Sequence, residues 1–443
     1  MMVIFFIYIF FVLSLIVYYY FSTNTSIITL SNIFILSIII FSFIPIIYIY
    51  NDIGFLRIQN GKPYSEQGYF EYIIYVMLTL FFLFPVHFYY KSKKAFIECI
   101  SDVEYSIMSS KVENLVIILS ILISVPLIFF IFNLIFQHGF SGYIANRIIL
   151  LQGNGYLASL IKFPQIAIGI VFYNQIYRKL VLKSSISKIK IIFLVIYSMF
   201  LALIMGSRTQ MFIPIISMLI IYIIIKYNGK VKTSHFKKPM LIMLCILFIS
   251  ISLGPVRESV MSDQDISFQN NESSIDKVMY NYGSIENLLW LFDHNKPSDF
   301  ENGKTFVAAL TGFIPRAVWP DKLLGGGPLM QNLISNGSYD LSSGTNISST
   351  TTGIITESYI NFSWFGVIFP ALFLILLNFL LTLLRFLIPA VYVSFYSFFI
   401  FNVLGYANSE FFGVTSHLFI YIVAAIFFDF IIRMLSGKVI LFR

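Results

Sequence analysis

The chain has 443 residues, of which 58% are hydrophobic and only 11% charged, and its mean hydropathy is +0.85. A water-soluble domain carries roughly 25% charged residues, so a fold of this composition could not cover its surface in water, and an integral membrane protein is predicted. The net charge of +8 is spread over short loops between apolar segments, as the positive-inside rule describes; with no aromatic-basic interleaving on a polar face, nucleic acid is not an expected partner.

A helical span needs about 20 apolar residues. In chain order, the apolar runs predict spans at roughly 3–21, 27–50, 72–90, 114–136, 157–177, 191–205, 210–225, 239–256, 364–387, 390–408 and 415–434, about 11 helices in all. The first run has no basic segment before it and no small-residue cleavage site, so it reads as a retained helix and not a cleaved signal. "GSRTQ", Gly206 to Gln210, breaks the run from 191 to 225 into two helices joined by a very tight turn. Cys99 falls in a predicted loop and Cys245 in a predicted helix, so neither a disulfide nor a thiol metal site is expected. The chain therefore divides into a membrane bundle over 1–256 (about 8 helices), a long loop over 257–363 and a C-terminal set over 364–443 (about 3 helices).

Lysine and arginine in short loops set the orientation. Lys91, Lys93, Lys94 and Lys111 mark one cytoplasmic loop, Arg178, Lys179, Lys183, Lys188 and Lys190 a second, and Lys226, Lys230, Lys232, Lys237 and Lys238 a third. The poorer loops at 51–71, 137–156 and 206–210 then face outside, and Arg433, Lys438 and Arg443 put the C-terminus inside. The segment from Arg257 to Ser363 lies outside on this scheme. Loops of that size are usually functional, and its apolar stretches "IENLLWLF" and "TFVAALTGF" are predicted as short helices resting on the membrane face.

Several arginines fall on the predicted outer face: Arg57, Arg147, Arg208, Arg257 and Arg316. In short outer loops they work against the topology, and the guanidinium fork suits bidentate binding of phosphate. Arg208 adjoins a helix N-terminus, whose free N–H groups and partial positive charge favour an anion; the alternative is snorkelling to lipid headgroups. Arg257 could instead answer the C-terminal dipole of the helix before it, and Arg57 has no feature beyond its sidedness. Arg316 lies in "GFIPRAVWPDK", Gly312 to Lys322, braced by Pro315 and Pro320, which stiffen a loop and lower the entropy cost of placing a side chain. Trp319 reads as an interfacial anchor or a sugar-stacking platform.

Glu357 and Asn361, in "ITESYINFSWFG", are expected at the outer surface where the ninth helix begins. Glu410 and His417, in "ANSEFFGVTSHLF", are expected near the outer end of the last hairpin. A Glu or His there could accept a proton from a sugar hydroxyl, or serve as a helix cap or headgroup contact. His87, His138 and His294 lack metal-ligand spacing. Phosphate-loop, dinucleotide, zinc-protease and hydrolase motifs are all absent from the sequence. Few charges lie deep in the spans, Lys162 and Asp429 being the main ones and both near span ends, whereas ion-coupled transporters usually carry such charges on their pathway.

The long late outer loop, the "GSR" turn before a helix, and "FENGKTF…GFIPRAVWPDK" followed by "ITESYINFSWFG" resemble the Wzy-type polymerases of bacterial O-antigens and capsules. The resemblance implies an all-α polytopic fold similar to the glycosyltransferase C superfamily, in the bacterial cytoplasmic (inner) membrane with its site facing outward. It implies an enzyme that transfers a growing chain from undecaprenyl pyrophosphate to a sugar hydroxyl of the next lipid-linked repeat unit. Partners would be the lipid-linked oligosaccharide, membrane lipid and a protein that regulates chain length. No cofactor is needed, because the glycosyl-pyrophosphate bond stores the energy, and no metal is expected. Arg208, Arg316, Arg147 and Arg257 would bind the pyrophosphate, the first two stabilising its charge in the transition state. Glu357 or His417 would orient or deprotonate the acceptor, and Trp319 and Asn361 would contact sugar. Rival readings are an O-antigen ligase, which shares these features, and a lipid-linked oligosaccharide flippase.

Overall fold

The computed structural model describes residues 2–22, 29–51, 64–92, 108–151, 154–204, 208–228, 235, 284–294, 300–312, 314, 318–319, 321–339 and 349–436. Among these there are helices and turns but no β-strand. Seven helical stretches are long and apolar enough to cross a membrane: 30–47, 66–90, 110–140, 155–180, 353–386, 389–406 and 411–436. Phe6–Tyr19 and Ile213–Lys226 are shorter apolar helices. Large apolar side chains stand outward on these helices, Phe129 at 77%, Phe136 at 92% and Ile189 at 81% exposure among them. Water would not tolerate so many on one chain; the protein is a multi-pass α-helical membrane protein. The predicted span 239–256 lies outside the described residues.

Contacts group the chain into two compact units. The first comprises Met1–Lys93, Glu272–Thr382 and Asn402–His417. In it α1 (Met2–Ser22), α2 (Leu30–Asn51) and α3 (Glu66–Ser92) pack on one another. The second comprises Lys94–Asn271, Leu383–Phe401 and Leu418–Arg443. It holds α4 (Ser110–Leu150), the short α5 (Gly155–Ser159), α6 (Lys162–Leu180), α7 (Lys188–Ile204) and α8 (Arg208–Lys226).

One expected loop is largely helical. The predicted outer loop 137–156 is mostly helix. The helix runs on to Leu150, and the break is confined to Gly139, whose φ of 71° and ψ of 164° are non-helical. A left-handed φ costs glycine little, so the chain turns there without losing the helix on either side. The helix expected from 364 is preceded by a separate short helix. α12 (Gly353–Phe362) ends at Ser363, whose φ of 52° and ψ of −138° are non-helical, and a 3-10 stretch (Ser363–Ile368) then leads into α13 (Phe369–Leu383).

In the second unit the polar centre is Glu113, whose side chain is fully buried. Gln175 Nε2 donates to both its oxygens at 2.9 Å, Lys190 Nζ donates to Oε2 at 3.0 Å, and Asn174 Nδ2 donates to Oε1. Arg178 lies 3.9 Å away. The carboxylate thus ties the start of α4 to the end of α6 and the start of α7, and two cations expected to set topology also hold helices together. Removing one partner of a buried ion pair costs about 3–5 kcal/mol, and Lys190 and Arg178, each about a fifth exposed, can turn to water. Glu113→Ala is therefore expected to cost about 2–3 kcal/mol, measured as a lower unfolding midpoint in detergent, with Glu113→Gln costing less.

The charges near span ends also have structural roles. Asp429 Oδ1 accepts the Ile388 N–H at 2.7 Å, just before α14 (Pro389–Tyr406), and its Oδ2 pairs with Arg433. Lys162, only 1% exposed, sits 5.0 Å from the ring centre of Tyr421, whose hydroxyl donates to Gln165.

Candidate active site

The polar residues of the first unit converge around α12. Ahead of it in the chain come α9 (Ser284–Asp293), α10 (Lys304–Leu310) and α11 (Gly326–Ile334). α9 carries "IENLLWLF", but it does not rest on a surface: Ile285, Leu288, Leu289, Trp290, Leu291 and Phe292 are all buried, and it packs on α2, α3 and α12. Glu286 and Asn287 are buried with them, so the helix is enclosed on its polar side as well. Its polar residues anchor it. The Tyr64 hydroxyl, pushed well above its ordinary pKa by burial and then by Glu286, donates to Glu286 Oε1 at 3.1 Å, and Asp293 Oδ1 accepts the Ser65 N–H at 2.9 Å.

Glu357 is not at a surface. It is 0% exposed, as is Asn361 one turn on. Thr352 Oγ1 and the Phe411 N–H each donate to Glu357 Oε1 at 2.7 Å, and Thr305 Oγ1 donates to Oε2 at 3.1 Å. Asn361 Nδ2 donates to Thr305 Oγ1 and to the Glu357 carbonyl, both at 2.7 Å, while its Oδ1 is buried without a partner. One carboxylate therefore joins α10, α12 and the first residue of α15 (Phe411–Ser436).

Glycines 325 to 327, at the start of α11, fill the space beside it. A Cβ on Gly326 would lie 2.3 Å from Glu357 Cδ, and one on Gly325 would lie 2.1 Å from Glu410 Oε1. Only glycine lets backbone approach side chains this closely. Glu410 is half-buried. Burial raises its carboxyl to about 7, against the lowering effect of the Gly327 N–H that it accepts, and its charge acts on Glu357 in turn. Two carboxylates thus face one glycine turn.

Lys322 closes the loop carrying Arg316. Only 7% exposed, it donates through Nζ to the Gly312 carbonyl at 2.9 Å and the Ile314 carbonyl at 3.2 Å, and stands 5.1 Å from the centre of the Phe412 ring. Gly312 lies tightly against Ser416 and Phe412, so the first turns of α15 line the neck of the loop. His417 is exposed on the same helix, and Trp319 is half-buried on the loop.

Arg57, Arg257 and Arg316 lie outside the described residues. Arg208, expected in the turn before a helix from 210, is the first residue of α8, and Arg147 lies on α4 beyond the Gly139 bend; the side chains of both, and residues 205–207, lie outside the described residues. The structure thus brings together Glu357, Asn361 and Glu410 near the contact of Lys322 with Gly312 and Ile314. Sequence reasoning passed over Lys322, Thr305 and Thr352. It also passed over the three consecutive glycines, although a glycine run before Pro328 in so apolar a chain is a signal of close backbone approach. Among the described residues no cluster of His, Cys, Asp and Glu is suited to a metal ion. Comparison with known proteins finds no matching family model, no matching curated protein and no matching solved structure.

Proposed function

We propose that this protein is a membrane glycosyltransferase that polymerises undecaprenyl-pyrophosphate-linked oligosaccharide repeat units at the outer leaflet of the bacterial cytoplasmic membrane. The observation that carries this reading is the pair of carboxylates, Glu357 and Glu410, around one glycine turn, beside a loop whose neck Lys322 ties shut and whose sequence holds Arg316. Transfer of a sugar from a pyrophosphate lipid needs two things on this scale: fixed cations for the charge that grows on the departing pyrophosphate, and a base near the acceptor hydroxyl. Arg316 and Arg208 take the first role in this reading, with Arg147 and Arg257 as further phosphate contacts, and Trp319 stacks on sugar.

Deletion of the gene in its own cell tests the function. Surface glycan is expected to collapse from a ladder to a single capped repeat unit. Long polymer retained on its lipid carrier would instead identify a ligase, and repeat units held at the cytoplasmic leaflet a flippase. At residue level, Arg316→Ala and Arg208→Ala are each expected to lower polymer yield at least about 100-fold, the scale for loss of one charge-stabilising donor. Membrane levels of the protein should be unchanged; normal long polymer from both variants would sink the role given to these arginines.

A further inference from the structure

We infer that Glu410 is the catalytic residue that takes the proton from the acceptor hydroxyl, and that Glu357 is a positioning residue behind it. The inference rests on the transferase reading above.

The two carboxylates differ in what they can reach. Glu357 exposes no surface, and its two oxygens already receive Thr352, Phe411 and Thr305. A base must come within about 2.6–3.2 Å of the proton it removes, and no substrate reaches a fully enclosed carboxylate. Glu410 keeps part of its surface open. Its carboxyl lies over the Gly325–Gly327 backbone, held by the Gly327 N–H, which leaves lone pairs for a substrate hydroxyl.

The surroundings fit the role. Gly325, against which Glu410 rests, also abuts Phe412, and a Cβ there would lie 3.2 Å from Phe412 Cβ. The other side of the contact is Lys322, 5.1 Å from the centre of the same ring. Glu410 and the neck that Lys322 ties thus share one wall. Among the described residues, the charged groups around Glu410 are Glu357 from α12 and, across the Phe412 ring, Lys322; α11 contributes glycine backbone to this contact. A carboxyl at about 7 is matched to proton transfer at neutral pH.

The acceptor oxygen forms a bond to the anomeric carbon of the growing chain. The bond from that carbon to the pyrophosphate oxygen breaks, and its electron pair leaves with the lipid pyrophosphate. The hydroxyl proton passes to the Glu410 carboxylate, which later returns it to water.

The test uses full-length protein in membranes of the deletion cell. The substrate is the lipid-linked repeat unit that accumulates there, and chain lengthening is measured from pH 5 to 9. Wild-type rate is expected to rise tenfold per pH unit at the acid end and level off above about 7. Glu410→Gln should lose at least about 100-fold and the acid limb, while Glu410→Asp keeps a titrating limb. The same Gln variant should melt higher than wild type at pH 8, because it removes a carboxylate that burial disfavours when ionised; a merely structural glutamate would melt lower. Glu410→Gln within tenfold of wild type, or inactive with a lowered melting temperature, overturns the assignment, as does an acid limb that vanishes in His417→Ala. Wild-type membranes that make no polymer overturn the transferase reading itself, and this role with it.

Discussion

Glu357→Ala is expected to be the most destabilising single substitution in the first unit, costing about 3–5 kcal/mol. The carboxylate is fully enclosed and receives the Thr352 and Thr305 hydroxyls and the Phe411 N–H. Alanine leaves those donors facing a void. The Phe411 N–H has no other outlet, since Phe411 itself is 2% exposed, and a buried donor left unsatisfied costs about 1–3 kcal/mol. The cavity adds to this, because the glycines at 325–327 present no side chain that could swing into it. Glu357→Gln behaves differently. Its amide oxygen can keep the Thr352 and Phe411 donors, and its Nε2 can donate to Thr305 Oγ1, which accepts one bond already, from Asn361. The expected outcome is that Glu357→Ala fails to accumulate or melts far below wild type in detergent, while Glu357→Gln melts within a few degrees of it and keeps the wild-type pH profile. A Gln variant as unstable as the Ala variant would show that the negative charge itself holds α10, α12 and α15 together.

What could be read from the sequence follows from which forces are local. Most predicted spans coincide with helices because bilayer thickness alone sets their length, and a run such as Leu115 to Phe136 announces itself without a partner. The burial of α12, ahead of the ninth span, is missed for the opposite reason. Thr356, Glu357, Ser358 and Asn361 look like a polar surface segment when read along the chain. They are buried in the fold because Thr305, 52 residues away, and Phe411, 54 residues away, meet them. Only tertiary pairing makes a buried carboxylate affordable. The same limit applies to α9, whose apolar residues signal a helix but cannot say what will cover its polar ones. At 137–156 the polar residues suggest a loop, and one left-handed glycine proves enough to redirect a helix that otherwise continues.

Lys322→Met is the substitution expected to separate loop closure from fold stability most clearly. Methionine keeps most of the apolar stem that Lys322 lays against Phe412, and it removes the amino group that bridges the Gly312 and Ile314 carbonyls. A hydrogen bond to a charged group contributes about 1.5–3 kcal/mol, and the ring contact adds about 0.5–2 kcal/mol where the cation is shielded from water. The eleven-residue neck from Gly312 to Lys322 should then open, since Pro315 and Pro320 stiffen the loop without tying its ends. The carbonyls it frees can turn to solvent at Gly312 and Ile314, both half-buried, so the rest of the unit should stay folded. Two measurements check this. Tryptic cleavage after Arg316 in membranes should accelerate about tenfold or more, the scale set by loss of about 1.5 kcal/mol of closure. Polymer yield should fall toward that of Arg316→Ala, because an arginine on an open loop stabilises departing charge less than one held in place. If cleavage accelerates while the polymer ladder stays normal, Lys322 closes the neck but the loop does not work on the pyrophosphate, and the cationic role moves to Arg208. If neither changes, the two carbonyl contacts do not hold the loop, and the stiffness of the two prolines alone is sufficient to present Arg316.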